Sequence, residues 1–203
     1  MSNYDPRKHH RRSIRLKGYD YAQEGLYFIT ICVQHRQHLF GSIENGKMIL
    51  NAAGEMVVRW YDELENKYPD KLCHEMVVMP NHFHCIIENV RAILRGCPNG
   101  DLGNGDLGDG DLGAHIGAPL PDEKYGIHNQ KYNATIGDAM DWFKTMTTNE
   151  YIRGVKNHGW QRFDGKLWQR NYWEHIIRNE TSGERIAQYI INNPQKWDDD
   201  MFR

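Results

Sequence analysis

Leu72-Cys73-His74-Glu75-Met76-Val77-Val78-Met79-Pro80-Asn81-His82-Phe83-His84-Cys85-Ile86-Ile87 reads as two apolar strands, Leu72 to Met79 and Phe83 to Ile87, divided by a Pro-Asn break. Upstream, Leu26 to Val33 (LYFITICV) has the β-branched and aromatic richness of a buried strand. Leu39 to Leu50 predicts a hairpin turning at Glu44-Asn45-Gly46, because Asn-Gly accepts the positive φ of a tight turn. Asn51 can cap a helix running to about Lys67, with Met56, Val57, Trp60, Tyr61 and Leu64 at helical spacing. Downstream, helices are expected over Thr135 to Arg153, around Tyr172 to Arg178, and over Ser182 to Asn192 before Pro194. This order predicts an α+β fold: a small antiparallel sheet with helices on one face, ferredoxin-like in outline. The order of the strands is not legible from the pattern.

The 203 residues suit one decorated domain, and 39% hydrophobic with 26% charged residues suit a globular protein. No apolar run approaches the roughly 18 residues of a membrane helix, and Met1 to Asp5 does not open a signal peptide. No membrane partner is expected, and the protein is placed in the cytoplasm. Cys32, Cys73, Cys85 and Cys97 form no CxxC pair, which fits a reducing compartment.

The net charge of −2 hides an uneven distribution. Six acids and no Lys or Arg stand between Pro98 and Glu123, leaving 25 basic against 21 acidic residues elsewhere. Arg7, Lys8, Arg11, Arg12, Arg15 and Lys17 make residues 1–25 a basic arm able to attract phosphates. Asn99 to Gly113 is NGDLG, NGDLG, DGDLG, too poor in apolar residues to offset its ordering entropy. Residues 97–126 therefore read as a flexible insertion in a domain spanning 26–203, and the five-residue period does not match calcium-binding glycine repeats.

The chemistry concentrates in two segments. On a strand, His82 and His84 share one face while Phe83 and Cys85 enter the opposite layer, so the two imidazoles can converge on one cation. The Pro-Asn turn and the otherwise apolar strand favour a metal site over a pair of surface histidines. The second segment is Leu167 to Arg178 (LWQRNYWEHIIR). On a helix, Tyr172 and His175 lie on one face, with Arg170 and Arg178 flanking the Tyr as phosphate contacts. Lys144, Lys156, Arg162 and Lys166 could extend a basic path, and Tyr151, Trp160 and Trp168 could stack bases. A histidine-triad nucleotide hydrolase is disfavoured because position 86 is Ile where a third alternate His is needed.

MPNHFHCII followed by WQRNYWEHIIR resembles the single-tyrosine HUH transposases, and among them the REP-associated tyrosine transposases. The resemblance extends from RRSIRLKGYDY near Arg12 to YIINNPQKW near the C-terminus, and only the repeat loop falls outside it. It implies the HUH nuclease fold and a metal-dependent endonuclease and strand transferase acting on single-stranded or hairpin DNA through a 5′-phosphotyrosine. Carried over by position, Tyr172 is the nucleophile, and His82, His84 and His175 are the metal ligands, with Glu174 the alternative third ligand. In other branches that ligand is an amide or acid four residues after the Tyr; here that position is Ile176. Mg²⁺ or Mn²⁺ is the implied cofactor. DNA contacts are expected from Arg11, Arg12, Arg15, Lys17, Lys144, Arg170 and Arg178, in a monomer or homodimer associated with the nucleoid. A non-catalytic DNA-binding protein of transposase origin is the alternative.

Overall fold

The computed structural model describes residues 18–90 and 130–200, so the basic arm through Lys17 and the repeat insertion lie outside the described residues. The two strands of the deciding segment are β4 (Lys71–Met79) and β5 (His82–Asn89), and β5 also pairs along its whole length with β1 (Gly25–Cys32). Between Cys73 and Met76 the β4–β5 register shifts, a bulge that inserts one extra residue into β4. After β1 comes the separate hairpin β2 (Gly41–Glu44) and β3 (Lys47–Leu50), turning through Asn45 at φ 51° and Gly46 at φ 72° as expected of Asn-Gly.

Helix α1 (Ala52–Lys67) starts where Asn51 predicts it, with the Asn51 side chain accepting from the Gly54 amide. Helix α2 (Ile136–His158) begins at a capping box formed by Thr135 and Asp138 and ends at Gly159, whose φ of 68° suits a residue without Cβ. Strand β6 (Trp173–Ile177) and helix α3 (Glu180–Asn192) follow, then a 3₁₀ segment Asn193–Asp199 opened by Pro194.

The main sheet has the order β4-β5-β1-β6 with every neighbouring pair antiparallel. α1 links β1 to β4 across β5, and α2 links β5 to β6 across β1, which is the ferredoxin-like arrangement. Tyr27, Ile29 and Ile31 of β1 and Phe83, Cys85 and Ile87 of β5 are fully buried against Met56, Tyr61 and Leu64 of α1 and Met140 and Phe143 of α2. Each such large side chain contributes roughly 1.5–3 kcal/mol of burial free energy. α1 and α2 cover the face that the helical periodicity predicts. Against the expectation of helices on one face, α3 lies on the other, where Ile186, Ala187 and Ile190 give its apolar stripe a partner in Ile86, Ile177, Phe28 and Val77.

One element also differs in kind from its sequence reading. The helix expected around Tyr172 to Arg178 is strand β6, running beside β1 from Thr30↔Trp173 to Leu26↔Ile177. The preceding chain is already held extended along the end of β1: Gln34 N donates to Leu167 O, Gln169 N donates to Cys32 O, and Val33 bridges Trp168. Continuing that extension satisfies the open edge of β1, and this pairing outweighs a three-residue apolar spacing that suits a helix equally well.

Candidate metal centre and tyrosine

The alternation along β5 puts His82 and His84 on the face opposite Phe83 and Cys85, as expected, and the two rings lie 4.5 Å apart at 0% and 1% exposure. Their burial comes from the C-terminal elements. His84 stacks on Phe28 and meets the Tyr189 ring edge-on at 5.4 Å, while Trp197 stacks on His82 at 6.1 Å.

Each ring is oriented through Nδ1. His82 Nδ1 lies 2.8 Å from Asn81 Oδ1, which can only accept, so that nitrogen carries the proton. The Asn81 Nδ2 donates to Arg36 O, which fixes the amide the required way round. His84 Nδ1 lies 2.7 Å from Thr30 Oγ1, and donation to that hydroxyl gives the same tautomer. Both Nε2 lone pairs then face the shared space. Burial pushes the His82 pKa down to about 3, with the Asn193 side chain opposing, and burial drives His84 well below its usual value, with His82 adding to the effect. Two neutral imidazoles are the form a cation binds.

The tail brings oxygen donors. Asp200 Oδ2 is 3.6 Å from His82 Nε2; because that imidazole is neutral, the contact is no ion pair. One ligand atom each from His82, His84 and Asp200 lies within 4.8 Å of the others. Asn193 is 2% exposed, and its side chain interacts with both His82 and Tyr189. Tyr189 on α3 places its hydroxyl 3.5 Å from His84 Nε2 while 39% exposed. Burial raises the Tyr189 pKa, as does Asp200, so the resting phenol is protonated.

Tyr172 and His175 are not in this cluster. Tyr172 immediately precedes β6, and in extended chain a three-residue spacing sends it and His175 to opposite faces. Tyr172 is half-buried against the α1/α2 core, away from the histidines. His175 pairs with Phe28 and so shares the histidine face, but two strand spacings from β5, about 10 Å. It is exposed and lines a cavity of about 450 Å³ with Glu174, Arg178 and Ser182.

Of the basic residues, Arg170 and Arg178 are exposed. Lys144 donates to Gln169 O and Arg170 O, tying α2 to the segment before β6, and burial lowers its pKa. Arg11, Arg12, Arg15 and Lys17 lie outside the described residues. The three aromatics expected to stack bases are packed inside. Trp168 donates to Thr147 Oγ1, Tyr151 donates to Gln161 O, and Trp160 lies against Gly154.

A Haemophilus influenzae protein of uncharacterised activity is 36% identical over 204 residues, covering 99% of this chain and 97% of its own. The chain belongs to one family with it. A second Haemophilus influenzae protein, named provisionally as a REP-associated tyrosine transposase, is 21% identical over 183 residues, 87% of this chain and 74% of that one. Two solved structures are also similar. One is a REP-associated tyrosine transposase bound to a REP hairpin, with a TM-score of 0.47 and 20% identity over 97% of this chain and 74% of that one. The other is a transposase-like protein from Deinococcus radiodurans, with a TM-score of 0.42 and 14% identity over 88% and 97% of the two chains. No family model matches the chain.

Tyr189, Asn193 and Asp200 are the site residues that the reading of the sequence missed. The signal was present for two of them. Tyr189-Ile190-Ile191-Asn192-Asn193 carries an amide four residues after a tyrosine, the spacing that Tyr172 fails to meet. Asp200 had no such signal.

Proposed function

We propose that this chain is a metal-dependent enzyme that nicks and rejoins single-stranded DNA, with Tyr189 as nucleophile. The observation that carries the reading is the Tyr189 hydroxyl 3.5 Å from His84 Nε2, beside a buried pair of neutral histidines. The kinship with REP-associated tyrosine transposases supports it. DNA carrying a hairpin is the first substrate to offer, because one neighbour was solved bound to a REP hairpin.

The donors fit a divalent cation. His82 and His84 would hold it with Asp200, and the Asn193 side chain, which interacts with His82, would offer a further oxygen. Two nitrogens and a carboxylate suit Mn²⁺ better than Mg²⁺, which prefers an oxygen shell. When bound, the ion polarises the scissile phosphate. Tyr189 Oη then forms a bond to phosphorus as the bond to the 3′ oxygen breaks, leaving a 5′-phosphotyrosine and a 3′-hydroxyl. The phenolic proton departs to solvent or a base, and the leaving oxygen takes up a proton. Asn81 and Thr30 hold the two rings so that Nε2 keeps its lone pair throughout. Rejoining reverses the step without ATP, because the phosphotyrosine conserves the phosphodiester energy.

The test is a denaturing gel of labelled hairpin DNA with Mn²⁺, using the wild type, Tyr189→Phe and Tyr172→Phe. A covalent adduct from the wild type and Tyr172→Phe but not from Tyr189→Phe supports the reading. An adduct lost only in Tyr172→Phe returns the nucleophile to β6. DNA binding without any adduct favours a non-catalytic protein of transposase origin.

A further inference from the structure

We propose that Trp173 is the stacking platform for an unpaired DNA base beside the histidine centre; this deepens the function proposed above and rests on it. Thr30 of β1 pairs with His84 on one side and with Trp173 on the other. Directly paired residues on neighbouring strands share a face, so the indole rises from the same face as the histidines. Two strand spacings separate Trp173 from His84, about 10 Å at the backbone.

The tryptophan is 56% exposed, whereas the other five in the chain are buried or half-buried in packing. A large aromatic ring exposed on the same face as the histidines offers a flat surface for base stacking. The surroundings favour a nucleic acid over an apolar partner. His175, two residues along the same face of β6, is exposed and lines a cavity with the exposed Arg178. Phosphate contacts from these residues and π-stacking on the indole are the two components of single-strand recognition. Tyr189, also partly exposed on this face, would meet the phosphate of the strand whose base rests on Trp173. Stacking accepts any base, so the residue would set the position of the cut strand without choosing its sequence.

The experiment titrates fluorescein-labelled oligothymidylate with the full chain in Mn²⁺, comparing wild type, Trp173→Ala and Trp173→Phe by anisotropy. Trp173→Ala should weaken binding about 5- to 150-fold, the range for one stacked base. Trp173→Phe should restore most of it, and wild-type protein irradiated with 5-iodouracil-containing oligothymidylate should crosslink at Trp173. Wild-type affinity in a folded Trp173→Ala overturns the proposal. So does a crosslink that maps elsewhere, a result that decides the matter even if the alanine variant does not fold. A wild type that forms a Tyr189 adduct while Trp173→Ala binds normally sinks the stacking and leaves the chemistry standing. Binding that depends on Trp173 without any adduct does the reverse.

Discussion

The two faces of the sheet are built from alternate residues of the same strands, yet they do opposite work. On one face Phe83, Cys85 and Ile87 of β5 meet α1 and α2 in an apolar layer that excludes water. On the other, His82 and His84 are equally buried but surrounded by Thr30, Asn81, Asn193 and Asp200. Burial alone therefore says nothing about role. What separates the faces is whether the buried atoms have lone pairs aimed at a common point.

The sharpest way to break this comparison is to exchange the two tyrosines. Tyr189→Phe is expected to lower adduct formation on the order of 10⁴-fold or more, as removal of a nucleophile does elsewhere. Tyr172→Phe, on the apolar face, should leave it within a few-fold, and quantified denaturing gels read both. Next in size is a strike at the apolar layer. Phe83→Ala should cost about 3–5 kcal/mol in urea denaturation with or without Mn²⁺, because it opens a cavity between β5 and Tyr61 and Phe143.

A subtler change separates orientation from ligation. Asn81→Ala removes the acceptor that fixes the His82 tautomer and should weaken Mn²⁺ binding by roughly 10–100-fold, measured by calorimetry, while unfolding is little altered. Unchanged affinity would mean that Asn81 serves only the turn.

A last contrast is set by pH. Both histidines have pKa values lowered in the folded state, so below about 6.5 the unfolded chain binds more protons than the folded one. Stability of the metal-free protein should be whole above that pH and fall as pH drops toward about 3, the folded value for His82. The slope contributed by each histidine approaches about 1.4 kcal/mol per pH unit. Denaturation of wild type and His82→Asn between pH 7 and pH 5 reads the difference; equal slopes would show that His82 is not held neutral.

Local signals were strong enough to be read directly wherever a short segment decides its own conformation. Asn51 caps α1, Asn45-Gly46 turns the hairpin, and the alternation of His82-Phe83-His84-Cys85 assigns each side chain to its face. Trp173 to Ile177 was not legible in this way. Its apolar spacing fits a helix or a strand, and only the vacant edge of β1 chooses between them. The error then propagated, because a helix aligns Tyr172 with His175 and a strand sets them apart.

The sequence by itself determined the antiparallel sheet with covering helices and the histidine pair on one face, because pleat, turn and cap rules act within a few residues. The tertiary structure alone decided which tyrosine meets those histidines and that Asp200 joins them. Tyr189 and Asp200 stand more than a hundred residues from His84 in the chain, and no local rule carries that distance. They come together because α3 buries Ile186 and Ile190 on the second face of the sheet, delivering the tail that follows onto the histidine side.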